Sequence, residues 1–152
     1  MSRTFRKESI IEASAEEVFE WHRRPEALPD LTPPWEPVTL ESVKGEPLAV
    51  GTEVVIRMPF GMRWHARHTA LEPGRMFRDE QVKGPFRRWV HTHSFEPLGP
   101  DRCRLIDSVE YQPPLAWISD WYVRRRLQKM FDYRHAVTQR AFAPESDRVR
   151  SE

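Results

Sequence analysis

The sequence predicts an α+β domain in which a curved antiparallel sheet of about seven strands wraps a long C-terminal helix, with two short helices between the first and second strands. Strand-like runs at 3–12, 38–44, 52–58, 62–72, 75–82, 86–96 and 103–112 carry the first part of this reading. Those after the first are separated by turn signals at Lys44-Gly45, Phe60-Gly61, Pro73-Gly74, Gly84-Pro85 and Gly99-Pro100, a spacing that implies a meander. The second part rests on the stretch from Trp117 to Phe142, which contains neither Gly nor Pro. There Val123, Leu127, Met130, Val137 and Ala141 recur at the three- and four-residue steps of one helical face.

Along the chain, Phe5, Lys7, Ser9 and Ile11 share one face of the first strand, which ends at Ala13-Ser14. Ser14 with Glu17 reads as a capping box opening a short helix through about His22, with Val18, Phe19 and Trp21 as its apolar members. A second helical turn runs from Pro25 to about Leu31. Prolines in Thr32–Pro37 forbid its continuation, because they lack an N–H and push their predecessors toward extended backbone. Six strands and the long helix follow. Residues 1–143 are expected to form one domain, and the polar, aperiodic 144–152 a disordered tail.

With 24 Lys and Arg against 23 Asp and Glu, the chain has no basic field that would predict nucleic-acid binding. No run of about 20 apolar residues predicts stable membrane insertion. Cys103 is the single cysteine, which excludes an internal disulfide and reads as a small core residue. The opening residues lack a signal-peptide pattern, so a cytoplasmic location is expected. Six Trp, eight Phe and three Tyr either fill a core or line an apolar pocket.

Alternation selects the inward rows. Trp89, His91, His93 and Phe95 share one face, Leu105, Asp107, Val109 and Tyr111 another row, and Phe77, Asp79 and Gln81 a third. On the strand before them, Trp64, Ala66 and His68 face inward, because the alternative row would bury Arg63 and Arg67; Val54 and Ile56 complete the wall. Arg134 falls within the helical stripe between Met130 and Val137, where it is expected to reach inward and pair with Asp79 or Asp107. His91 and His93, at i and i+2, with Asp79 or Asp107 would make a metal site only if all three donors converge. Two histidines on a strand are otherwise a weak metal signal, and the expectation is no metal and no cofactor. Trp21, Trp35, Trp117 and Trp121 either gate a pocket mouth or clamp the helices, and Arg124–Arg126 reads as a solvated face.

The element order, together with Phe77-Arg-Asp79-Glu-Gln81, Gly84-Pro85-Phe86, Trp89-Val-His91-Thr-His93-Ser-Phe95, Asp107-Ser-Val109-Glu-Tyr111 and Met130-Phe131-Asp-Tyr133-Arg134-His135, resembles the START-related superfamily (SRPBCC), in an uncharacterised bacterial branch also seen fused to sugar-nucleotide-epimerase-like proteins. The resemblance implies the helix-grip fold of polyketide cyclases, lipid carriers and plant allergens. The function then expected is binding of a hydrophobic or aromatic small molecule between sheet and helix, by a monomer or homodimer. His68, Asp79, Gln81, His91, His93, Asp107, Tyr111 and Arg134 would anchor it, with Trp64, Phe77, Trp89, Phe95, Val109 and Met130 as walls. A cofactor-independent cyclase or dehydratase with His91, Asp107 and Tyr111 as candidate catalytic residues is the alternative. A protein-interaction module with a filled core is a third reading.

Overall fold

β1 (Arg3–Ile11) and β2 (Thr39–Lys44) form the two edges of one seven-stranded sheet in the order β1-β7-β6-β5-β4-β3-β2, antiparallel throughout. This computed structural model describes residues 2–144, with the side chains of 116–119 left aside. The expected tail therefore lies outside the described residues, as does the side chain of Trp117. The other strands are β3 (Glu53–Arg57), β4 (Arg63–Glu72), β5 (Met76–Lys83), β6 (Arg88–Gly99) and β7 (Arg102–Gln112). Because β1 and β2 lie at opposite edges, the chain between them must cross the sheet. It does so through α1 (Ala15–Arg23) and α2 (Ala27–Leu31).

The predicted N-cap is present: the Glu17 N–H donates to Ser14 Oγ at 3.1 Å, satisfying one orphan donor of α1. Phe19 of α1 packs edge-on against Phe77 and Phe95, in a core cluster that includes Ile11, Val18, Cys103 and Leu105. Burial pushes the Cys103 thiol up to about 11, as befits a core residue with no nucleophilic activation. A second cluster joins Phe5, Trp89, Val109 and Tyr111 to Leu127 and Phe131 of the long helix α3 (Ala116–Ala141). Between the two apolar clusters runs a polar seam, described below.

The helix is rotated relative to the expected stripe. Leu127, Phe131, His135 and Thr138 are its buried line, whereas Val123, Met130, Arg134 and Val137 are only half-buried on its flank. Hydropathy alone overlooks His135 and Thr138, and both are burial-competent only because they have partners: Thr138 Oγ1 donates to the Arg134 carbonyl at 2.9 Å, and His135 joins the seam. The most extensive packing of α3 is on β1, with smaller contacts to β7 and α2. The helix thus grips one half of the sheet. Inward side chains on the other half, including Val54, Ile56, Trp64 and Ala66, remain half-buried. No described helix is long and apolar enough to cross a membrane.

Candidate functional site

Register brings the ionisable residues together. On one cross-strand line His68 of β4 pairs with Asp79 of β5, which pairs with His91 of β6. On the next inward line Phe77 pairs with His93, and His93 with Asp107 of β7. Adjacent lines on one sheet face are within side-chain reach, so four strands contribute to one cluster.

Asp107 is its centre. His91 Nε2 donates to Asp107 Oδ1 at 2.6 Å, and His135 Nε2 donates to Asp107 Oδ2 at 2.7 Å. His93 Nδ1 lies 3.2 Å from Asp107 Oδ1, while its Nε2 donates to Asp79 Oδ2 at 3.0 Å. The Ser9 hydroxyl, 2.8 Å from His135 Nδ1, donates to it and so fixes that ring with Nε2–H toward the carboxylate. His91 spends its one N–H on Asp107, which leaves Nδ1 as a bare lone pair 4.0 Å from Asp79 Oδ2. The two β6 imidazoles lie with ring centroids 3.6 Å apart, and Phe77 stacks on His93 at 3.9 Å.

The electrostatics follow from these partners. Burial by itself would raise the Asp107 pKa, but hydrogen bonds from His135, His91 and His93 outweigh it and hold the carboxyl well below the usual range. Asp79 is likewise lowered, because His93 and its neighbours overcome desolvation. Burial, reinforced by the cationic character of His93, lowers His91. His93 is raised: desolvation opposes its charge, yet its position between two carboxylates prevails. The two aspartate charges and the fields of His93 and Arg134 thus act against one another across the seam.

Several expected roles are redirected. Arg134 does not form the anticipated ion pair: the cationic groups within 4 Å of the two carboxylates among the described residues are histidines. The physical reason is the phase of α3, which turns His135 onto Asp107 and leaves Arg134 on the half-buried flank. Arg134 instead lies over the Phe131 ring at 5.5 Å, with a buried Nε that has no hydrogen-bond partner. Burial lowers its pKa, against the fields of Asp107, Asp79 and Glu36.

Tyr111 is fully buried and donates to Asp120 Oδ1 at 3.1 Å, tying β7 to the first turns of α3. Gln81 is committed to the 84–85 loop: its Nε2 donates to the Phe86 carbonyl at 2.6 Å, and the Phe86 N–H donates to its Oε1 at 3.2 Å. His68 is buried with Nδ1 unpartnered, and desolvation lowers its pKa. Phe95 and Val109 are fully packed into the core and expose no surface to a ligand, and Phe77 and Trp89 expose very little. Trp64 is half-buried against Phe86 and Trp89, and Met130 is half-buried against the core cluster of Phe5, Leu127 and Phe131 to which Trp89 belongs. Trp35 stacks edge-on against Tyr133 at 5.3 Å with Lys129 over its ring, and Trp121 is exposed. The arginines 124–126 are exposed, as expected.

Sequence reasoning missed His135 and His22. His135 was detectable as the residue four beyond Phe131, on the line through Leu127, but its polarity hid it. His22 donates Nδ1–H to the Val18 carbonyl at 2.8 Å and meets Phe95 edge-on; burial lowers its pKa to about 4. Two surface hollows, of about 320 Å³ and about 300 Å³, are elsewhere. The first lies on the outer sheet face among Arg78, Arg88, Glu80 and Glu110, and the second is beside Trp35 and Arg126.

Residues 11–132 match the family described as polyketide cyclase / dehydrase and lipid transport. The chain belongs to that family. Among solved structures, truncated norcoclaurine synthase from Thalictrum flavum superposes with a TM-score of 0.71 at 20% identity, covering 95% of this chain and 96% of that one. A START superfamily protein from Mycobacterium smegmatis gives 0.69 at 14% identity, with 91% and 96% covered. At these identities the likeness is one of fold. A nucleoside-diphosphate sugar epimerase from Corynebacterium glutamicum gives 0.72 at 28% identity over 89% of this chain but 28% of that one. The polyketide cyclase-type domain thus corresponds to a segment of that larger protein. No curated protein matches the chain.

Proposed function

We propose that this polyketide cyclase-type domain binds a small, largely apolar molecule against the inner face of β3, β4 and β5, beneath the flank of α3. The observation that carries the reading is the one-sided grip of the helix. Apolar and aromatic inward side chains on β3 and β4 stay half-covered, next to a polar base where Asp79 keeps 20% and His93 12% of its side-chain surface. Apolar walls around a few convergent polar groups are what small-molecule sites are built from. Trp64, Phe86 and Met130 would form the walls. Arg134, His93 and Asp79 would meet an oxygen-bearing end, Arg134 through its unpartnered Nε. The fully packed His91, Phe95, Asp107, Val109 and Tyr111 would support the site from behind.

Native mass spectrometry of protein purified from its own host, with saturable binding of a fluorescent naphthalene sulfonate, tests this. A retained organic molecule is expected, and Trp64→Ala and Arg134→Met should each weaken probe binding roughly tenfold, while the exposed Trp121→Ala leaves it unchanged. Absence of both a retained molecule and saturable probe binding would refute the proposal.

One feature favours a catalytic reading as a second possibility: His93 bridges two carboxylates at the edge of the half-covered face. Such an arrangement can relay a proton at a carbon next to a carbonyl. Turnover of a polyketide-like carbonyl compound that falls at least about tenfold in His93→Ala would support it, and turnover unchanged in that variant would remove His93 as its proton relay.

A further inference from the structure

We propose that Asp79, His91 and His93 form a binding site for a divalent transition-metal ion, zinc being the ion their donor set favours. The sequence expectation of no metal turned on whether three donors converge, and they do: one ligand atom from each lies within 4.8 Å of the others. A tetrahedral zinc ion with bonds of about 2.0–2.1 Å holds its donors about 3.3 Å apart. His93 Nε2 and His91 Nδ1 lie 3.0 Å and 4.0 Å from Asp79 Oδ2, on either side of that spacing, and the two rings, 3.6 Å apart and tilted by 31°, would turn to aim both nitrogens at one ion.

The surroundings argue for the same site. A metal-bound imidazole ordinarily donates its other N–H to a carboxylate, which fixes the ring and makes the free nitrogen more basic. Asp107 does this for both rings, contacting His91 Nε2 at 2.6 Å and His93 Nδ1 at 3.2 Å. Asp107 is in turn held by His135, and His135 by Ser9. That is more support than two core histidines need for simple satisfaction. His91 Nδ1 in particular is left facing Asp79 without a hydrogen bond of its own within ordinary distance. His68, beside Asp79 in register and with its Nδ1 unpartnered, lies just outside the three-donor set. Two nitrogens and one carboxylate oxygen leave at least one coordination position for water or a ligand atom. Asp79, the most exposed of the three, lies on the half-covered side of the sheet.

The test is calorimetric titration of chelator-treated, buffer-exchanged protein with zinc, together with cobalt substitution read by its visible d–d bands. One ion per chain is expected, with cobalt bands of a nitrogen- and oxygen-bound site. Asp79→Asn and His93→Ala should each reduce zinc affinity roughly tenfold or more. His65→Ala, on the opposite face of β4, should not. Zinc should also raise the thermal midpoint of the wild type but not of Asp79→Asn, a near-isosteric change at a half-buried position that keeps the fold available for comparison. No saturable binding, or binding equally strong in Asp79→Asn and His93→Ala, would overturn the inference. Because the titration uses metal alone, its failure leaves the proposed apolar ligand untouched, and failure of probe binding leaves the metal site untouched.

Discussion

Asp107 concentrates the energetic risk of this fold in one side chain. It is buried, charged and shared by three imidazoles. Removing one partner from a buried charge network costs about 3–5 kcal/mol, because the remaining polar groups are stranded without water. Asp107→Asn keeps the size but presents an NH2 group to N–H donors, so the expected loss is about 3 kcal/mol or more, measured by urea unfolding. A loss below about 1 kcal/mol would mean that the seam is solvated rather than self-satisfied.

His22 gives the pH dependence a sign. Wedged between Trp21 and Phe95, it is kept neutral in the folded state, with its pKa lowered from 6.5 to about 4 chiefly by burial. The unfolded chain therefore binds a proton that the folded chain refuses, and stability contributed by the neutral ring falls as pH drops through about 6.5 toward about 4. With partial solvent exposure allowed for, the loss is about 2 kcal/mol. Comparing unfolding of wild type and His22→Gln at about pH 7.5 and about pH 4.5 isolates this contribution. The variant should lose less stability on acidification, and equal losses would contradict the assignment.

At the level of elements, the β5–β6 connection is stitched by Gln81, whose amide holds both the N–H and the carbonyl of Phe86. A Cβ at Gly84 would sit 2.5 Å from Gln81 Oε1. That oxygen belongs to a side chain already fixed at both ends, so it cannot swing clear without breaking its bonds. Gly84→Ala should cost about 1–2 kcal/mol in thermal or urea unfolding, through two hydrogen bonds worth about 1 kcal/mol each. An unchanged midpoint would show that the loop adapts. β4 carries a comparable local departure. A register shift between His68 and Ala70 interrupts strict alternation, so Leu71 rather than Ala70 lies opposite Phe77 and packs on the core. Turn chemistry located the loops, but no residue pattern marked this bulge.

For the molecule as a whole, the decisive asymmetry is that α1 closes one end of the sheet and α3 grips mainly its β1–β7 half. Inward side chains on β3 and β4 stay half-buried, and the polar seam runs across the strands from Ser9 on β1 to Asp79 on β5. The family relationship accounts for the architecture, and the features that bear on function belong to this chain's own side chains.

The strand faces were legible because strand periodicity is rigid: once Arg63 and Arg67 are kept out of the core, the inward direction of Trp64 and His68 is determined. The inward placement of Asp79, His91, His93 and Asp107, the Ser14 cap and the long helix followed from local chemistry in the same way. Which donor meets which acceptor did not. That His135 rather than Arg134 reaches Asp107 depends on the rotation of α3, and rotation is set by long-range packing such as the Phe5–Phe131 stack. A helix has no fixed phase relative to a sheet until the two touch, so a single residue step, about 100° around the axis, separated the sequence's candidate from the histidine that the fold selects.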